Sequence, residues 1–188
     1  MMLAACGPAA HQDAAEVRQV EQTFASFKSA IFGAHAAAAL AEIDQPSLDY
    51  LDSSARCPPD PSAPDAELRQ VIYEAVARTT PGGAAGPGFK LEVPLQRILN
   101  QGCMNTHALD SIQIGPVTID GAGAHAEVLW ENMHTTYRLA FVKQAGQWKV
   151  DLLGVVPYIE IAMRVGRTLR NESAAQQVDR LVSQFPAH

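Results

Sequence analysis

The sequence predicts an α+β fold, and three observations carry that prediction. From Ser111 to Leu153 the apolar residues recur at every second position with short turn signals between, the period of β-strands. Upstream, apolar residues recur in steps of three and four, the period of one helix face. The strand block has one apolar and one polar face, and only helices remain in the chain to cover the apolar one.

The strand block is expected to be an antiparallel sheet of three or four strands. Its first strand carries Ile112, Ile114, Val117 and Ile119, interrupted by Gly115-Pro116. Proline cannot donate to a ladder, so this is an edge strand with a bulge. Asp120-Gly121 marks a hairpin turn. Next, Ala124, Ala126, Val128 and Trp130 alternate with His125, Glu127, Leu129 and Glu131. After a polar turn at residues 131–134, Tyr137, Leu139 and Phe141 alternate with Thr136, Arg138, Ala140 and Val142. Ala145-Gly146 turns the chain into a last strand with Trp148, Val150 and Leu152 opposite Lys149, Asp151 and Leu153. The dry face thus collects Val128, Trp130, Tyr137, Leu139, Phe141, Trp148 and Val150. The wet face collects His125, Glu127, Arg138, Lys149 and Asp151, read as a solvated surface with cross-strand ion pairs.

The rest of the chain reads as helices. Residues 1–12 are a lipobox-like start and a short tether, the tether running from Gly7 to Gln12. Asp13 caps a helix whose stripe is Val17, Val20, Phe24, Phe27 and Ile31, ended by Gly33. An Ala-rich second helix over 34–43 is stopped at Pro46, and Ser47 caps a turn carrying Leu48 and Leu51. Four prolines over 56–64 make a stiff loop. Asp65 caps an amphipathic helix with Leu68, Val71, Ile72, Ala75 and Val76 inward. Residues 80–88 are a Gly/Pro connector; no Lys-Ser/Thr follows and no strand precedes, so it is not a phosphate loop. A short helix over 94–101 is closed by Gly102. After the sheet, Pro157 opens a helix with Ile159, Ala162, Met163 and Leu169 inward, and residues 171–185 form a last helix with Val178, Leu181, Val182 and Phe185 apolar. The chain is read as one domain over 13–188, with C-terminal helices from about residue 157.

The 188 residues suffice for one domain that buries about 70% of its unfolded surface. A net charge of −6 argues against a nucleic-acid partner, which calls for clustered Lys and Arg. No apolar run is long enough to span a bilayer. Of the three cysteines, Cys6 lies in Leu3-Ala4-Ala5-Cys6-Gly7. This resembles a bacterial lipobox, in which the cysteine is acylated and becomes the mature N-terminus. Only Met1 to Ala5 precede it, so the reading needs a leader that starts further upstream. It implies a lipid-anchored envelope protein facing the periplasm, with Cys6 as its membrane attachment; without it the address is cytoplasmic. In an oxidising compartment Cys57 and Cys103 are a candidate disulfide, contributing ~4 kcal/mol in the chain-entropy model. The alternative is two separate thiols. No CxxC or paired-His spacing points to a metal, and no cofactor is expected.

Helices followed by an antiparallel sheet ending in Gly146-Gln147-Trp148-Lys149-Val150-Asp151 resemble the nuclear transport factor 2-like superfamily, which includes ketosteroid isomerases and polyketide cyclases. The resemblance covers about residues 13–153, and the extension beginning Val155-Val156-Pro157-Tyr158 looks like that of bacterial, often secreted, members. It implies a cone: a curved sheet with N-terminal helices in its concave side and the tryptophan beneath them. Isomerases of that group carry a tyrosine and acidic groups pointing into the cone. Here the first helix offers Val20, Phe24, Phe27 and Ile31, and Asp44 and Asp110 lie at element ends, so no catalytic residue is carried over.

Trp130, Tyr137 and Trp148 are candidate pocket aromatics, with His134 at the hairpin tip near where a cone would open; the plainer reading makes the aromatics core and His134 a loop histidine. The expected function is a non-catalytic envelope lipoprotein that binds a protein partner or an apolar small molecule. The alternative is a small enzyme acting on an apolar substrate within the cone, which requires an ionisable group buried beside the aromatics. A homodimer built sheet to sheet is a further possibility.

Overall fold

The computed structural model describes residues 14–80, 88–100 and 110–185. Four strands, β1 (Ile112–Asp120), β2 (Gly123–Trp130), β3 (Met133–Gln144) and β4 (Gln147–Asp151), form an open antiparallel meander in chain order. The turn chemistry explains the connections. Glu131 and Asn132 both have positive φ between β2 and β3, as do Ala145 and Gly146 between β3 and β4, the backbone of tight hairpins that matches strand twist. β1 is an edge strand, and its register shifts between Ile114 and Val117, so the Gly115-Pro116 bulge falls where proline chemistry puts it. The opposite edge is closed by the chain at residues 42–44: Val150 donates to the Glu42 carbonyl at 2.8 Å and Asp44 donates to the Val150 carbonyl at 3.0 Å. A covered edge cannot recruit another strand.

Among the described residues seven α-helices accompany the sheet. They are α1 (Ala14–Phe32), α2 (Ala36–Ala41), α3 (Gln45–Arg56), α4 (Ala66–Thr79), α5 (Glu92–Asn100), α6 (Val156–Arg170) and α7 (Ala174–Val182). The predicted stripe of α1 packs on the sheet: Val20 is fully buried against Val117, Ala126, Phe141, Trp148 and Val150, with Val17, Phe24 and Phe27 around it. Polar contacts fix the helix over the sheet. Thr23 Oγ1 donates to the Trp148 carbonyl at 3.3 Å, Lys28 Nζ to the carbonyl of Ile112 at 2.7 Å, and Glu16 pairs with Lys143.

Several helix boundaries differ from expectation, each for a local reason. The left-handed residue after α1 is Ala34 (φ 53°), one past Gly33; a Cβ at Gly33 would sit 2.7 Å from the His35 ring, which would have to move aside. Pro46 does not end a helix but lies in the first turn of α3, and Asp44, not Ser47, is its cap, accepting from the Ser47 N–H at 3.3 Å. Asp65 precedes α4 but makes no cap bond, because its carboxylate is engaged by Arg69 at 2.8 Å. Asn171 is left-handed (φ 52°) and terminates α6, so α7 starts later, behind a Ser173/Gln176 capping box. Asp13 and Gly102 lie outside the described residues.

Two corrections concern burial. Trp130 and Tyr137 were expected on the covered face, yet they are 39% and 42% exposed. α1 lies over the half of the sheet that holds Phe141 and Trp148, and the β2–β3 tip runs past it after a register shift between Glu127 and Leu129. In α6, Ile159, Ala162 and Leu169 were expected inward; all three are exposed, and of the expected set only Met163 is buried. The helix instead turns Glu160 and Arg167 toward α4, where both find partners.

Candidate functional site

A partly open chamber of about 270 Å³ with wholly apolar described walls lies between the helices and the end of the sheet. Its walls follow from helix spacing. α1 supplies Phe27 and Ile31, one turn apart; α4 supplies Val71, Ile72, Ala75 and Val76; α5 and the residue before it supply Leu91, Pro94, Leu95 and Ile98. Ile43 and Leu51 close one side, while Leu152 and Phe185 bring in the chain after β4 and after α7. Every described lining residue is apolar. Chains that must place seven segments around one volume leave gaps where facing side chains are too short to interdigitate, and Ala39 and Ala75 stand at such positions here.

The four residues expected to form a pocket are not brought together. Trp148 is 2% exposed in the sheet core, where its indole N–H finds no partner, and it borders a shallow polar depression with Gln22, Thr23 and Lys149. Tyr137 packs edge-on against Tyr158 of α6 at 4.9 Å between ring centroids. Trp130 pairs with Met133 at the hairpin tip. None of Trp130, Tyr137 and His134 lines the apolar chamber or the polar depression.

His134 does have an orienting partner, Glu127, at 2.8 Å across β2 and β3. The imidazole is 74% exposed, so the pair is a surface contact of small energetic weight. Glu127 also stands opposite Arg138 in the β2–β3 ladder. Among the described residues no group of His, Cys, Asp or Glu is placed to hold a metal, and no helix is long and apolar enough to cross a membrane. Cys57 is exposed just after α3; its expected partner Cys103, and Cys6, lie outside the described residues.

Sequence reading missed a polar cluster where α3, α4 and α6 meet. Glu160 of α6 is 8% exposed, and its Oε1 accepts the Leu68 N–H at 3.0 Å, so α6 caps α4 from outside. Burial raises the Glu160 pKa above the usual carboxylate range, against the lowering effect of that hydrogen bond; the nearby Glu67 and Asp65 charges raise it further. Arg69 bonds Asp65 and Ser54 and covers the Tyr50 ring at 4.2 Å. Burial pushes Asp65 up, but the Arg69 and Tyr50 hydroxyl contacts outweigh it, and the net shift is downward. Burial, and then Asp65, push the Tyr50 phenol well above its ordinary value. Its hydroxyl is buried beside Asp65 without a hydrogen bond of good geometry. The only sequence signal was a lone acid between apolar residues, Ile159 and Ile161.

Fold and site together describe an α+β sheet protein with helices around an apolar chamber. Comparison with protein-family models, with curated proteins and with solved structures finds no match for the chain.

Proposed function

We propose that this chain is a non-catalytic binding protein that holds a small, uncharged, apolar molecule in the helical chamber. The observation that carries the reading is the chamber itself: about 270 Å³ with no polar side chain on its described walls. Ligand pockets span about 300–1,000 Å³, so the occupant is at the small end of that range. Enclosed apolar cavities of about 150 Å³ stay dry and accept benzene or xenon, and the described walls of this larger, partly open chamber offer water no side-chain partner. A charged or strongly polar ligand would be stranded without partners.

An enzyme of the isomerase or cyclase type would need an ionisable group on the chamber wall. Of the two buried carboxylates, Glu160 lies at the α3–α4–α6 junction and Asp44 caps α3 through the Ser47 N–H; neither is in the described lining, nor are the half-buried Asp65 and Tyr50. That separation favours binding over chemistry.

Two further parts of the reading rest on sequence. The nuclear-transport-factor-2-like cone is supported by the open meander with Trp148 packed beneath α1. The envelope address is supported by Leu3-Ala4-Ala5-Cys6 and would be tested by mass spectrometry of the native protein: an acylated Cys6 at the N-terminus is expected, and an unmodified Cys6 thiol with Met1 attached would refute it. A Cys57–Cys103 bridge and a protein partner remain part of the proposal on the same footing.

The binding claim is tested by titrating the full chain with N-phenyl-1-naphthylamine and following its fluorescence. Saturable one-site binding is expected, weakened by about tenfold or more in Ala75→Leu, which fills the chamber, and retained in Leu169→Glu, which is on the outer surface. No saturable binding by the wild type, or unchanged binding by a folded Ala75→Leu, would overturn it.

A further inference from the structure

α6 is amphipathic in the inverse sense. Its charged residues Glu160 and Arg167 face the protein, where Glu160 accepts from Leu68 and Arg167 pairs with Glu67. Apart from the buried Met163, its large apolar residues face outward. Tyr158, Ile161, Val165 and Leu169 follow at steps of three, four and four residues, a single stripe along the helix, and they are 36%, 54%, 51% and 81% exposed. At 1.5 Å per residue the helix is about 22 Å long. At its start Tyr158 meets the exposed Tyr137 of β3, which extends the stripe onto the sheet; the β2–β3 tip separately exposes Trp130 and Met133, the latter 62% exposed. Large apolar residues left exposed in one row on a helix mark a contact surface.

We infer that this face docks on an anionic membrane surface, with α6 lying in the interface plane. Charge decides among occupants. The chain carries −6 overall, yet the exposed charges of α6 are the two arginines Arg164 and Arg170; Arg167 is paired with Glu67, and the helix's one carboxylate is the buried Glu160. Arg164 and Arg170 are both exposed, off the stripe on its two sides, and long basic side chains reach lipid phosphates while the apolar residues enter the acyl boundary. A second copy is a poor occupant: antiparallel pairing of two α6 stripes sets arginine flanks against each other, with no exposed carboxylate on the helix to answer them. The exposed aromatics Trp130, Tyr137 and Tyr158 are the residue types that settle at headgroup depth. This contact is separate from the chamber, and separate from any acyl chain on Cys6.

The test is flotation of the full chain, carrying Cys6→Ser so that no lipid anchor contributes, with phosphatidylcholine vesicles that contain or lack phosphatidylglycerol. The expected result is recovery with the anionic vesicles, weaker recovery with neutral ones, and a bound fraction reduced by about tenfold or more in Val165→Glu/Leu169→Glu. Both positions are exposed, so thermal melting of the variant is expected to match the parent. Because Trp148 is buried, a blue shift of tryptophan emission on anionic vesicles reports Trp130 entering the interface. No flotation on either vesicle, flotation undiminished in the double variant, or a dimer in solution that the double variant dissolves would each overturn the inference, the last assigning the face to a second copy.

Discussion

The Glu160 carboxylate of α6 accepts the backbone N–H of Leu68, in the first turn of α4, at 3.0 Å. A buried acid from one helix thereby caps another, and Arg167 repeats the attachment through Glu67 one to two turns further along α6. This pairing explains why α6 presents its apolar stripe to the outside.

Glu160→Ala leaves the Leu68 N–H without its partner, and a loss of about 1–3 kcal/mol is expected in denaturant unfolding. Glu160→Gln retains an acceptor oxygen and is expected to change stability much less at neutral pH. The sign with pH follows from the raised folded-state pKa. Such a group contributes fully below its unfolded value, about 4.3, and loses that contribution as pH rises through the higher folded value. The stability of the wild type relative to Glu160→Gln should therefore rise as pH is lowered from 7 to 4. A difference that stays flat or falls over that range would refute the assignment.

Phe141 is 1% exposed at the centre of the sheet core, and Leu169 is 81% exposed on α6. Phe141→Ala is expected to cost ~3–5 kcal/mol, whereas Leu169→Ala should stay within about 0.5 kcal/mol. Chemical denaturation of both variants checks the contrast.

Asp44 caps α3 through the Ser47 N–H and is 3% exposed. Asp44→Ala should destabilise by about 1 kcal/mol, within a 0.5–2 kcal/mol range, while Ser47→Ala should act through a different bond, since Ser47 Oγ receives the Leu152 N–H at 2.9 Å. A double-mutant unfolding series separates the two effects.

The two tryptophans differ sharply in environment, 39% exposed for Trp130 and 2% for Trp148. Acrylamide should quench one emission component strongly, and Trp130→Phe should remove that component. Equal quenching of both would contradict the placement of α1 over β4.

The strands were legible because their signals are local. Period-two alternation, the Gly115-Pro116 bulge and the Ala145-Gly146 turn each act within a few residues. The α1 stripe was legible for the same reason. Alternation names the side of a sheet a residue is on, not whether anything lies over that side, and so Trp130 and Tyr137 were misread. In α6 an apolar and a charged stripe are both written in the sequence. Which one turns inward was decided by partners on α4, nearly a hundred residues away, that no local pattern announces. The chamber was equally hidden: each of its walls reads as ordinary core, and a gap depends on how the volumes of α1, α3, α4 and α5 fail to fill the space between them.

A crystal of the full chain pressurised with xenon asks most directly whether that space is open to an apolar guest. Xenon density bounded by Ile31, Ile72 and Leu95 is the result expected of a dry chamber. A volume filled by the chain's own side chains, or by ordered water, would contradict it.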